Sequence, residues 1–175
     1  LADRHALDDA RRVLLLGRRN LGGGATTLAI ELAELEQRAD NWEGAAREWG
    51  HAVAANAELL PNAASQLSEA PAVQRGRVVA VLAPADAAPR TQRLAAELLL
   101  GWGQSAEAWS LFERSLGAGP PSVETTTALR RFADLAGAVA TPAGHRARGL
   151  ALARWADLVP WPLAARARAE AVREL

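Results

Sequence analysis

The sequence predicts an all-α fold, a stack of antiparallel helical hairpins, and three observations carry that expectation. Apolar residues make up 50% of the 175 residues but aromatics only 5%, and the alanine-rich remainder suits closely approaching helices better than packed sheets. Glycine and proline clusters cut the chain into pieces of about 8 to 18 residues, the usual span of globular helices. A small residue followed at four by a bulky one and at seven by another small one recurs along the chain. A chain of this length can bury one sizeable core, so residues 1–175 are read as a single helical-repeat domain of about four to five hairpins.

The elements follow in order. Helix 3–19 carries Ala10, Leu14 and Gly17 and stops at Leu21-Gly22-Gly23-Gly24. Helix 25–39 sets Leu28, Leu32 and Leu35 at helical spacing, with Glu31, Glu34 and Gln37 between them. After the Asp40-Asn41 break, helix 42–57 repeats the spacing with Trp42, Ala45, Ala46, Trp49, Ala52 and Val53. Two such helices joined by a short turn make an antiparallel hairpin. Leu60-Pro61-Asn62 and Ala70-Pro71 bracket a short helix, 62–68. Helix 71–83 contains the chain's β-branched cluster, Val78 to Leu82, read as buried helix because Pro84 follows closely. Ala88-Pro89 introduces helix 90–101, and Ser105 is a natural N-cap for helix 105–116, which carries Trp109 and Phe112. Gly119-Pro120-Pro121, Thr141-Pro142 and Pro160-Trp161-Pro162 delimit the last three helices, 122–138, 143–158 and 162–174.

The recurring pattern sets the architecture. Ala45, Trp49 and Ala52 match Ala108, Phe112 and Ser115; Ala10, Leu14 and Gly17 give a third copy, Gly76, Ala80 and Ala83 a fourth, and Ala147 with Ala151 a fifth. A small anchor lets two helix backbones approach, and the bulky side chain one turn later fills the space between successive hairpins. The first four anchors lie about 31 to 35 residues apart, close to the ~34-residue period of tetratricopeptide hairpins. Asn41-Trp42-Glu43-Gly44-Ala45 resembles the aromatic-Glu-x-Ala opening of that family's second helix. Leu7-Asp8-Asp9-Ala10 resembles it with the aromatic replaced, and Pro120 stands where the family often ends a repeat. The chain is thus identified as a divergent tetratricopeptide-like α-solenoid, a resemblance that is closest around Ala45 and Ala108.

Several function classes are disfavoured. Formal net charge is zero, without the basic excess that nucleic-acid binding normally needs. All basic residues are arginine, which a GC-rich coding bias explains, and the lack of lysine removes a Walker loop at Gly22-Gly23-Gly24. That run reads as an inter-repeat connector. Gly103-Gln104-Ser105-Ala106-Glu107 approaches a nucleophile elbow but ends in glutamate and follows no strand. His5, His51 and His145 have no ligand spacing, and there is no cysteine. No catalytic, metal or cofactor residue is therefore assigned. No apolar run reaches the ~20 residues of a transmembrane helix. The start at Leu1, without methionine, is read as a processed or truncated terminus.

Partner-binding residues come from the resemblance. The first helices of two units, which line the family's concave groove, carry Glu34, Arg38, Arg90, Arg93 and Glu97. The arginines are expected to be exposed and to grip partner carboxylates in bidentate fashion. The family's carboxylate clamp uses lysine and asparagine where Ile30 and Glu34 stand, so its peptide specificity is not carried over. Trp161, between two prolines, is a further candidate, because exposed tryptophan is enriched at interfaces. The expected function is a non-catalytic protein–protein interaction scaffold, an extrinsic accessory subunit bracing a larger assembly, a membrane-bound one included. A periplasmic or membrane-extrinsic position is favoured over a cytoplasmic one. The rival reading is a helical domain or enzyme fragment that binds a small anionic ligand.

Overall fold

A computed structural model describes residues 2–117 and 122–175, with the side chains of residues 2–4 left aside; Leu1 and the Gly119-Pro120-Pro121 break, Pro120 included, lie outside the described residues. The fold is all-α. In chain order the helices are α1 (Ala2–Asn20), α2 (Ala29–Arg38), α3 (Trp42–Ala55), α4 (Leu60–Ser68), α5 (Ala72–Leu82), α6 (Pro89–Gly101), α7 (Ser105–Ser115), α8 (Val123–Ala138), α9 (Pro142–Ala156) and α10 (Leu163–Glu174), with a 3₁₀ turn at Ala57–Leu59 before α4. The described residues contain no strand.

The boundaries sit where the local chemistry puts them. α1 ends in a Schellman turn: Gly22 takes φ 63°, and the Gly23 and Gly22 N–H groups donate to the Arg18 and Arg19 carbonyls at 3.3 and 3.1 Å. Those two donors of the triglycine run are thereby used by α1. α2 starts at Ala29 and not at 25, because the Thr27 carbonyl accepts from Arg18 Nε at 2.6 Å and Leu28 adopts φ 56°. Asn56 stops α3 in an extended conformation, its side chain capping the 3₁₀ turn through the Glu58 N–H at 3.0 Å. Gln104, not Ser105, is the N-cap of α7; Ser105 is buried as the first helical residue.

The chain divides into two compact units, Leu1–Ala95 and Ala96–Leu175. In the first, α3 packs on α2 and on α5, and α1 rests on α2. Ala45, Trp49, Ala52 and Val53 of α3 are buried together with Leu32, Ala33, Val78 and Leu82. Arg11 clamps Glu36 at 2.6 and 2.5 Å, Asn41 donates to the same carboxylate at 2.6 Å, and Arg18 clamps Glu48 at 3.2 and 2.5 Å. In the second unit, α9 packs on α7, α8 and α10. Phe112 and Phe132 meet there in a tilted pair at 4.4 Å between ring centroids, with Trp109 5.9 Å from Phe132.

The anchor positions divide. Ala45, Ala108 and Ala147 are buried, and so are Trp49, Phe112 and Ala151 one turn on. Ala10 is half-buried. Gly76 is not a close-contact anchor: it is exposed, and a Cβ added there would meet no atom within 4 Å. α5 turns Val78 and Leu82 inward instead, so Gly76 does not have the buried position expected of a fourth anchor.

Candidate functional site

α2 buries Ala29, Leu32, Ala33, Leu35 and Glu36, which leaves Glu34 and Arg38, one turn apart, on its exposed face. They line a groove of about 410 Å³ together with Gln37, Trp42, Gln66 and Glu69. Its base is held by hydrogen bonds. Gln37 Nε2 donates to the Gln66 carbonyl at 3.2 Å, Trp49 Nε1 donates to Gln37 Oε1 at 3.4 Å, and Trp42 Nε1 donates to Asp40 Oδ1 at 2.7 Å. The rim therefore offers two carboxylates and one guanidinium over an ordered amide and indole base, groups that can make charge-assisted hydrogen bonds.

The other candidates fall elsewhere. Arg90 and Arg93 are not open side chains: Arg90 is half-buried and donates to the Ala54 carbonyl at 3.2 Å, and Arg93 is only 6% exposed. The expected exposure fails because α6 is covered along this stretch, with Thr91 through Ala96 all buried. Glu97 is held by Arg131 of α8, whose Nε and Nη2 donate at 2.7 and 2.9 Å. That bidentate bond raises the guanidinium pKa further above its ordinary value. Trp161 is 76% exposed, as expected.

A second groove, of about 740 Å³, lies in the second unit against α8 and α9, lined by Thr126, Arg130, Asp134, Leu135, Trp155 and Val159 among others. Arg130 sits 5.8 Å from the Trp155 ring centroid and pairs with Asp134 at 3.2 Å. Sequence reasoning missed this groove. The Arg130–Asp134 spacing and the tryptophan of α9 are visible in the sequence, but only the α8–α9 pairing makes them neighbours.

His145 Nδ1 lies 2.6 Å from Glu174 Oε2, and Arg148 donates to the other oxygen of the same carboxylate. The histidine bond and the arginine charge hold the Glu174 pKa below its ordinary value. Among the described residues no three His, Asp or Glu side chains gather as a metal site, and no helix is long and apolar enough to cross a membrane. No family model, curated protein or solved structure matches the chain.

Proposed function

We propose that the chain is a non-catalytic interaction module of tetratricopeptide-like hairpins, an accessory subunit that braces a larger protein assembly, and that the groove carrying Glu34 and Arg38 receives the partner. The observation that carries this reading is the mixed-charge rim over a hydrogen-bonded base at Gln37 and Trp42.

The repeat part draws support from the turns. Asp40 and Gly103 both take positive φ, 56° and 83°, and both close Schellman turns, through Asn41 N–H to Glu36 O and Gln104 N–H to Leu99 O, each at 2.8 Å. These turns precede Ala45 and Ala108 by the same number of residues, so the two best-matched units share a turn as well as an anchor.

The test is native purification of the chain with mass spectrometry of what accompanies it, repeated with Arg38→Glu and with Trp161→Ala. A stoichiometric protein partner lost at high salt and with Arg38→Glu is the expected result. Loss with Trp161→Ala alone places the interface at the Pro160-Trp161-Pro162 edge and overturns the groove assignment. Saturable binding of phosphate esters or nucleotides, with no protein partner, favours the rival reading of an anionic-ligand domain.

A further inference from the structure

α1 is held differently from the other helices of the first unit. The buried residues of that unit run from Ala29 onward; in α1, Leu7, Ala10 and Leu14 are only half-buried, and Val13, Leu15 and Leu16 are exposed. Charge-assisted bonds fasten the helix instead. Arg11 holds Glu36 of α2 through Nε and Nη2 at 2.6 and 2.5 Å. Arg18, two turns further along the same side, holds Glu48 of α3 at 3.2 and 2.5 Å and the Thr27 carbonyl at 2.6 Å. One guanidinium thus ties together α1, the linker that follows it and α3. The Arg18 and Glu48 side chains are each 14% exposed, so added salt screens this pair far less than a surface pair.

The linker between α1 and α2 contains Gly22 to Gly24, and a Cβ added at Gly24 would meet no atom within 4 Å. The backbone there can turn at little steric cost. The receiving carboxylates are set in place without α1, since Asn41 donates to Glu36 at 2.6 Å and Glu48 belongs to the well-buried helix α3. We propose that α1 is a strap, hinged at Gly22 to Gly24 and closed by the Arg11–Glu36 and Arg18–Glu48 clamps, which undocks as a unit and uncovers both carboxylates while the α2–α3 hairpin stays folded. Opening gives up few apolar contacts. It also returns two ion pairs to water, which offsets much of their lost attraction. The open state therefore lies below global unfolding, as a local opening of one element.

The test is native-state amide hydrogen exchange of the full chain, read at peptide level by mass spectrometry. Helices draw most of their stability from packing, so the amides of α1 report its undocking. α1 is expected to be protected, but less than α3 by at least about tenfold. Arg11→Gln and Arg18→Gln each lower the protection of α1 about tenfold and leave α3 within about twofold of the parent, because the carboxylate left without its arginine is hydrated once the strap opens. Leu14→Ala, which trims a packing contact of the same helix, lowers it less. Protection of α1 equal to that of α3, a loss that spreads equally to α2 and α3, a larger loss with Leu14→Ala than with either arginine variant, or α1 amides that exchange freely in the parent would each overturn the proposal.

Discussion

At the scale of single residues, volume and burial decide what each side chain can do. Ala45 and Ala108 are fully buried, so Ala45→Leu and Ala108→Leu are expected to overpack their sites and destabilise by about 1–3 kcal/mol. Gly76→Ala, in open space within α5, is expected to stabilise by up to about 1 kcal/mol through helix propensity. Urea titrations separate the three, and a parent-like midpoint for Ala45→Leu would sink the anchor assignment. Arg90 and Arg93 behave oppositely to the sequence expectation. With Arg93 buried and Arg90 bonded to the end of α3, Arg90→Glu combined with Arg93→Glu is expected to lower the melting temperature, losing about 2 kcal/mol or more. Unchanged melting would restore them as open groove residues. Glu34, Arg38 and Trp161 are legible in the sequence as exposed side chains because α2 has a strict apolar period and prolines flank the tryptophan. Arg90 and Arg93 are not, because burial on nearly every side of a helix leaves no period to read.

At the scale of elements, proline, glycine and asparagine breaks locate all ten helices to within a few residues, and the largest misplacement is the start of α2. Residues 25–28 fail to join α2 because Leu28 takes φ 56° and Arg18 of α1 engages the Thr27 carbonyl; no helical period encodes that bond. α9 and α10 are joined by a polar contact in which His145 and Arg148 of α9 hold Glu174 of α10. The folded carboxylate titrates below its ordinary range, so the unfolded chain binds the proton more readily. Its contribution is therefore present above the unfolded value of about 4.3 and is lost as pH falls from there through the folded value. Glu174→Gln is expected to remove this part of the acid limb of stability. Urea midpoints measured between about pH 3 and pH 7 check it, and an acid limb that Glu174→Gln leaves intact would assign the dependence to other carboxylates.

At the scale of the whole molecule, the division into two compact units falls between Ala95 and Ala96, inside α6, where the sequence has no glycine, proline or polar break to mark it. α6 is one continuous helix, Pro89–Gly101, with buried Leu94 before the division and buried Leu98 and Leu100 after it. Sequence punctuation finds linkers, and a shared helix is not a linker. A proline at Ala96 would remove the N–H bond to the preceding turn and clash with its carbonyl, at a cost of about 3 kcal/mol or more in a helix interior. Because buried residues of this one helix fall on both sides of the division, Ala96→Pro is expected to speed amide hydrogen exchange in α3 and α5 as well as in α8 and α9. Peptide-level exchange followed by mass spectrometry reads each unit separately. Loss of protection confined to residues 96–175, with α3 exchanging as in the parent, would mean that the first unit keeps its core without an intact α6.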